Sequence, residues 1–199
     1  MPEKDRREQI LAAARRCFIA QGFHPTRMDD IAREAELSKG GVYFHFKSKQ
    51  DVFDSLVEEE FAESMGFLRS VIEDTSSIPD KMARLGAHYV EYFSSAPDAP
   101  RFFVVMGEMA LRDPRLASRL LEMQTAYVDM VASLIQQGIE AGLLRPVEPR
   151  KVAAILKAVL DGVEGLTALG FPLEGSDYLS TGMELIMNGL WQPSDPGEG

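Results

Sequence analysis

Residues 29–53 read DDIAREAELSKGGVYFHFKSKQDVF, and this stretch decides the fold. Ile31 and Ala35 are one helical turn apart, which predicts a short amphipathic helix in its first part. Ser38 then offers a side-chain oxygen able to cap a second helix, which we place at 39–46. That helix is too short to be stable alone, so its neighbours must support it, and we assign Val42 and Phe46 to this packing. Two helices joined by a tight turn form a helix-turn-helix, whose second helix enters the major groove of DNA.

Several spaced elements of this region closely resemble the DNA-binding domain of TetR-type transcriptional regulators. The resemblance covers roughly the first quarter of the chain and rests on Phe23-x-x-Thr26, Asp30-Ile31-Ala32-x-x-Ala35, Ser38-Lys39-Gly40, Tyr43-x-His45-Phe46 and Lys49. Glu36 departs from the family, which usually has glycine in the turn, and a residue with a side chain there predicts a different turn geometry.

The resemblance implies which residues contact DNA. It assigns phosphate contacts to Thr26, Tyr43, His45 and Lys49, and groove contacts to Lys39, Gly40 and Phe44. Because Gly40 and Gly41 lack side chains, that end of the recognition helix can approach DNA closely. The complete predicted DNA-binding set is Thr26, Arg27, Ser38, Lys39, Gly40, Gly41, Tyr43, Phe44, His45 and Lys49.

The charge distribution agrees with DNA at one end of the protein. The whole chain has a formal net charge of −10, which taken alone argues against nucleic acid. Residues 1–50, however, carry 10 Lys and Arg against 7 Asp and Glu, a net charge of +3, whereas residues 51–199 carry 11 against 24, a net charge of −13. A basic amino-terminal region on an acidic body is typical of a protein that binds DNA with one end.

Helical patterns continue through the rest of the chain, and we find no convincing strand. Loops are indicated at 94–100, which reads SSAPDAP, and at 146–149, and a long helix that reaches Glu140 is predicted to stop at Gly142. The predicted fold class is all-α, a nine-helix TetR-like architecture, which excludes the parallel-sheet nucleotide folds. We divide it into a helix-turn-helix DNA-binding domain at 1–47 and a regulatory domain for ligand binding and dimerisation at 48–199.

The middle of the chain is rich in large, soft side chains. Such residues are typical of a plain helical core, and they also suit an apolar pocket with adaptable walls. TetR-type proteins generally place an inducer pocket in this region, so the resemblance implies a small-molecule effector. The predicted ligand-binding residues are His88, Tyr89, Tyr92, Phe93, Phe103, Met106, Met109, Met123 and Tyr127.

The last two helices carry broad apolar faces, which would suit either a monomer core or a subunit interface. In the family, two such helices usually meet their symmetry mates in a four-helix bundle, and a two-fold interface is self-complementary. The resemblance therefore implies a homodimer. The predicted interface residues are Leu156, Val159, Leu160, Val163, Leu166, Leu179, Met183, Ile186 and Leu190.

Other functional classes find little support in the sequence. The three histidines, His24, His45 and His88, lie in separate elements without metal-ligand spacing, so we expect no metal site. No nucleophile motif or phosphate-binding loop indicates an enzyme, and we expect no cofactor. The single cysteine, Cys17, rules out an intramolecular disulfide. No apolar run is long enough to span a bilayer, so we expect a cytoplasmic protein without a membrane partner.

These features together predict a homodimeric, ligand-responsive repressor. It would bind a palindromic operator of double-stranded DNA and be released by a small apolar inducer. The alternative is an all-helical carrier or sensor of hydrophobic small molecules without DNA binding. The two differ in one observable, since the carrier would bind a ligand and leave the electrophoretic mobility of DNA unchanged.

Overall fold

The computed structural model describes residues 3–95, 98–171 and 177–191, with side chains described for 5–93, 98–171, 181–182 and 184–191. Within these ranges the chain forms nine helices, which confirms the predicted all-α class. They are α1 (Glu3–Gln21), α2 (Met28–Glu34), α3 (Lys39–His45), α4 (Lys49–Glu73), α5 (Ile78–Ser95), α6 (Ala99–Ala110), α7 (Pro114–Glu140), α8 (Pro149–Ala168) and α9 (Asp177–Leu190). The extended pairing in these ranges is an isolated antiparallel bridge between Leu144 and Trp191.

The described helices pack as two compact units. The first is drawn from Met1–Ser64 and Asp98–Leu120, and the second from Met65–Pro97 and Leu121–Gly199. The helix-turn-helix therefore shares its unit with α6, while α5, α8 and α9 belong to the second unit. The two packed units therefore differ from the two predicted domains, whose boundary lies after residue 47. That boundary is a prediction about function and not about packing.

An aromatic cluster forms the centre of the first unit. The rings of Phe18 in α1, Phe23 in the following loop and Phe53 in α4 have centroids 5.0–5.6 Å apart. Phe102 of α6 joins them through Phe53 at 5.8 Å. Phe18, Phe53 and Phe102 are completely buried. Full burial of one such side chain stabilises a fold by about 1.5–3 kcal/mol, so the cluster fixes the helices that surround α2 and α3.

The turn between α2 and α3 sets the direction of the second helix. Glu36 has a left-handed backbone conformation, with φ at 54°. The N–H of Glu36 donates to the carbonyl of Arg33 at 3.1 Å, and the N–H of Leu37 donates to that of Ala32 at 2.9 Å. This pair of bonds is the Schellman motif, which normally has glycine at the left-handed position. The prediction of a different turn was therefore wrong, because Glu36 takes the conformation that glycine would take. The strain is about 1–2 kcal/mol.

A similar left-handed residue ends α7 and directs the chain toward α8. Gly142 has a φ of 69°, and the N–H groups of Leu143 and Leu144 both donate to the carbonyl of Gly138. Leu144 is buried, and a Cβ on Gly138 would come within 2.7 Å of its side chain. A glycine is therefore required at residue 138, and the predicted helix stop at Gly142 is confirmed.

Candidate functional site

The inner side of α3 is fixed by one capping bond and two buried side chains. The hydroxyl oxygen of Ser38 accepts a hydrogen bond from the backbone N–H of Gly41 at 3.1 Å, which satisfies a donor that the helix start would leave free. Val42 and Phe46 are buried, and the guanidinium of Arg7 lies 5.3 Å from the centre of the Phe46 ring. The predicted cap and the predicted packing of Val42 and Phe46 are confirmed.

The outer side of α3 is open to solvent. Phe44 is 75% exposed and Tyr43 is 44% exposed, although large aromatic side chains are usually well buried. Gly40 has no atom within 4 Å of the place where a Cβ would stand. Nothing in the described protein therefore requires glycine at this position, even though glycine weakens a helix.

Charged side chains at the edges of α2 adjoin this outer side. The ammonium of Lys39 lies 2.8 Å from the carboxylate of Asp29, and this hydrogen bond raises the pKa of the lysine. Arg27 is exposed, and its backbone N–H donates to the carboxylate of Asp30 at 2.9 Å. That bond, followed by the one from the Arg33 side chain, lowers the pKa of the Asp30 carboxyl. Lys39, Arg27 and Arg33 therefore all stand at the surface close to carboxylates of α2.

Two residues of the predicted DNA-binding set turn toward the protein instead. Thr26 is 1% exposed, and its hydroxyl donates to the carbonyl of Gly22 at 2.7 Å. The ammonium of Lys49 donates to the carbonyls of Phe23 at 2.5 Å and His24 at 3.0 Å, and burial lowers its pKa. Both side chains hold the loop between α1 and α2 in place. The motif spacing is the same for an inward and an outward side chain, so sequence could not separate these two roles.

The remaining members of the set gather on one surface. His45 is half-buried, and its ring meets the edge of Phe44 with centroids 5.2 Å apart. Ser38 is exposed and Gly41 is half-buried, and both belong to the helix start described above. We give the name α3 face to the group of Arg27, Lys39, Gly40, Tyr43, Phe44 and His45, of which His45 is half-buried and the others are exposed.

The second unit contains a cavity of about 80 Å³ among α5, α7, α8 and α9. Tyr89 and Tyr127 are among its lining residues, and their hydroxyls are hydrogen-bonded to each other. Burial, followed by the effect of Tyr127, raises the pKa of Tyr89, and burial raises the pKa of Tyr127 to about 12. Both hydroxyls are therefore uncharged at neutral pH. The cavity is lined by Leu85, Tyr89, Tyr127, Val131, Leu156, Val159, Leu160, Val163, Gly182 and Ile186.

Tyr89 and Tyr127 are the two predicted ligand-binding residues that line this cavity. Of the others, His88 stacks on Phe67 with ring centroids 3.6 Å apart. The hydroxyl of Tyr92 donates to Glu164 at 2.8 Å. These two side chains are therefore engaged with neighbours of their own in the second unit.

The other five predicted ligand-binding residues also lie away from the cavity lining. Phe103, Met106 and Met109 belong to α6 and hence to the first unit, where the two methionines are buried. Met123 is half-buried on α7, and Phe93 lies with its ring beside that of Tyr92. The sequence prediction grouped these residues by composition, which does not reveal that the two units separate them.

Helix α8 has two apolar sides. Leu156, Leu160 and Val163 line the cavity. On the other side, every exposed residue from Ala154 to Leu169 is apolar or glycine. We call this the outer face of α8, and its large side chains are Ile155, Val159, Leu166 and Leu169. A helix side exposed to water normally carries charged residues, so this surface indicates a contact with another molecule.

The predicted interface residues divide between these two sides. Val159 and Leu166 belong to the outer face, and Val159 also reaches the cavity with Leu156, Leu160, Val163 and Ile186. Leu190 is buried within the protomer. The side chains of Leu179 and Met183 lie outside the described residues. Sequence reasoning placed Ile155 on the apolar face assigned to the dimer but gave no interface role to Leu169 or the exposed Leu185, although the apolar stripe along α8 could have indicated Leu169.

The fold and the exposed helix-turn-helix define a helical DNA-binding regulator of transcription. Residues 10–56 match the family model described as "Bacterial regulatory proteins, tetR family", and residues 81–177 match "BetI-type transcriptional repressor, C-terminal". The uncharacterized HTH-type transcriptional regulator YfiR of Bacillus subtilis (strain 168) is 31% identical over 183 residues, which cover 87% of this chain and 85% of YfiR. The chain belongs to the TetR family of bacterial transcriptional regulators.

Solved structures share this fold at lower sequence identity. A transcriptional regulator from Saccharomonospora viridis in complex with choline is 18% identical with a TM-score of 0.82, over 96% of this chain and 100% of that one. SmeT of Stenotrophomonas maltophilia, in a complex with triclosan, is 23% identical with a TM-score of 0.77, over 97% and 96% of the two chains. Among the described residues, no helix is long and apolar enough to cross a membrane.

Replacing Lys49 with methionine tests its inward role. The substitution keeps an unbranched, flexible side chain but removes the ammonium that donates to two loop carbonyls, so we expect the free energy of unfolding to fall by about 1.5 kcal/mol. Urea denaturation measures this loss. Lys47→Met is the matched control, because Lys47 is exposed, and its stability should stay within about 0.5 kcal/mol of the parent. Equal stability of the two variants would contradict the role of Lys49 in holding the loop.

Proposed function

We propose that this TetR-family regulator is a homodimeric repressor that binds a palindromic operator and is released by a small apolar effector. The observation that carries the proposal is the α3 face, where exposed aromatic and basic side chains and an open glycine stand on a helix whose other side is buried. The match of residues 81–177 to the carboxy-terminal domain of BetI-type repressors supports repression.

Each residue type of the α3 face suits a different part of DNA. Lys39 and Arg27 carry the charges that attract phosphates, and the hydroxyl of Tyr43 can donate to a phosphate oxygen. Phe44 is apolar and suits the C5 methyl group of thymine in the major groove. Gly40 leaves the helix backbone free to approach the base edges. In this arrangement the ammonium of Lys39 leaves its ion pair with the Asp29 carboxylate and pairs with a phosphate of the DNA.

The outer face of α8 supports the dimer. It is a continuous apolar surface, and a helix pairing with its symmetry mate would cover it on both subunits at once. The exposed Gly162 lies in this face, and no atom lies within 4 Å of the place where a Cβ would stand. Two helices can therefore approach each other closely there. Such pairing would place two α3 helices on one operator, which is the reason that operators of dimeric helix-turn-helix proteins are palindromic.

The cavity supports an effector site, and α8 supplies a link between ligand and dimer. One side of α8 forms the cavity wall and the adjoining side, which shares Val159 with it, is the proposed interface. A molecule larger than the cavity of about 80 Å³ would have to displace that wall. A ligand shifts a protein between two states only through its different affinity for them. An effector that binds best when α8 is displaced would therefore favour the subunit arrangement that fits the operator less well.

Gly40→Ala separates DNA binding from stability. A helical glycine costs about 0.5–1 kcal/mol relative to alanine, and the Cβ would meet no atom within 4 Å, so the variant should be at least as stable as the parent. If α3 enters the groove, the added methyl group meets a base edge, and affinity should fall by about tenfold or more, since that needs only about 1.4 kcal/mol. Gel retardation with the DNA flanking the gene measures the affinity.

Gly66→Ala is the matched control, because Gly66 is also an exposed glycine within a helix and has equal space around it. It should gain similar stability and retard DNA as the parent does. Full DNA affinity in Gly40→Ala would contradict the approach of α3 to the bases. Absence of retardation by the parent protein on every flanking fragment would favour the carrier without DNA binding.

Ile155→Glu tests the proposed subunit interface. Ile155 is 63% exposed in the protomer, so a carboxylate there should leave the protomer folded, but it would be buried unpaired in the dimer, which is strongly unfavourable. We expect sedimentation velocity to show a dimer for the parent and a monomer for the variant at micromolar concentration. Leu111→Glu is the control, because Leu111 is 89% exposed outside the outer face. A variant at Ile155 that remains dimeric would place the interface elsewhere.

A further inference from the structure

The cavity of the second unit has an uneven distribution of polar groups. Eight of its ten lining residues are aliphatic or glycine, and the two exceptions are Tyr89 and Tyr127. Their hydroxyls lie within hydrogen-bonding distance of each other. A ligand inside this cavity would therefore meet apolar contacts on most sides and one pair of hydroxyls.

The hydroxyl pair has one hydrogen more than its own bond needs. Each tyrosine hydroxyl carries one hydrogen and can also accept hydrogen bonds. The bond between Tyr89 and Tyr127 uses one of the two hydrogens, and neither hydroxyl has another partner among the described residues. Because burial raises the pKa of both groups, the second hydrogen stays in place at neutral pH. The pair can therefore donate one hydrogen bond to a molecule in the cavity.

Charges near the cavity disfavour an ionic ligand. The ammonium of Lys157 lies 5.4 Å from the centre of the Tyr127 ring, but it is paired with the carboxylate of Asp161. The carboxylate of Glu164 accepts a hydrogen bond from Tyr92 at 2.8 Å. An anion would therefore lie near two carboxylates and one paired ammonium, and none of these three groups lines the cavity. A cation would have to leave water for a lining without a charged side chain, which is costly.

We propose that the cavity binds a neutral, compact, apolar molecule with one hydrogen-bond-accepting oxygen, such as a ketone, ester or ether, and that the Tyr89–Tyr127 pair donates to that oxygen. The inference rests on the proposed effector site and adds the chemical class of its ligand. The aliphatic lining removes the carbon skeleton from water, and the hydroxyl pair fixes its orientation. Because the cavity of about 80 Å³ is smaller than the engineered cavity of about 150 Å³ that holds benzene, a ring must widen it.

Four six-membered-ring probes of similar size test the class of ligand directly. They are cyclohexanone, methylcyclohexane, cyclohexylammonium and cyclohexanecarboxylate. Titration calorimetry with the full-length protein, including titrations in which two probes compete, compares their affinities. We expect both neutral probes to bind more tightly than either ion, because an ion would have to leave water for a lining without a charged side chain. Tighter binding of either ion, or no binding of any probe, would overturn the proposal.

Phenylalanine variants assign the oxygen contact to the tyrosine pair. Each single variant, Tyr89→Phe or Tyr127→Phe, keeps one hydroxyl hydrogen and should retain most of the affinity for cyclohexanone. The double variant has no donor, so its affinity for cyclohexanone should fall about fivefold, which is the typical contribution of one hydrogen bond, whereas its affinity for methylcyclohexane should not change. Tyr92→Phe is the control, because Tyr92 lies outside the lining, and it should bind cyclohexanone as the parent does.

Full affinity for cyclohexanone in the double variant would overturn the role of the pair, and so would an equal loss in Tyr92→Phe. Gel retardation of the same proteins without a probe measures DNA binding independently. A parent protein that binds cyclohexanone more tightly than either ion but does not retard DNA would keep the ligand class and remove the repressor. A parent that retards DNA but binds an ion more tightly than cyclohexanone would keep the repressor and remove the ligand class.

Discussion

Burial of Val42 and Phe46 is the constraint on which the DNA-binding side of this protein depends. Helix α3 has seven residues, which is far below the length at which a helix is stable in water. It persists because its inner side is covered by α1 and α2 and because the Phe18–Phe23–Phe53–Phe102 cluster fixes the surrounding helices. With the inner side fixed in this way, the outer side can be left open, so exposed aromatic residues stand there without unfolding the helix.

The same division into a buried and an open side recurs in α8. Its inner side forms a wall of the cavity, and its outer face has no charged residue among those exposed between Ala154 and Leu169. A helix of this kind can transmit a change at one side to the other because packed helices shift as whole elements. The protein thus needs no separate device to connect an effector with subunit arrangement. The proposed ligand, a neutral molecule held by one hydrogen bond, would act through the volume that it occupies.

Sequence alone predicted the fold well because its signals are local. The apolar spacing, the cap at Ser38 and the stop at Gly142 each depend on residues a few positions apart, and all three are confirmed. Local signals could not predict that the side chains of Thr26 and Lys49 point toward the protein. Both bond to backbone carbonyls of a loop whose path the sequence does not define. The soft residues of α6 were likewise grouped with a pocket by composition. Their place in the first unit depends on long-range packing, above all on the contact between Phe102 and Phe53.

In the proposed complex two α3 helices, one from each subunit, contact successive major grooves on one side of a DNA duplex. Hydroxyl-radical footprinting on a flanking fragment that the protein retards would show this arrangement. We expect two symmetric protected segments whose centres are about 10 base pairs, or a multiple of that distance, apart. A single protected segment, or protection without symmetry, would contradict it.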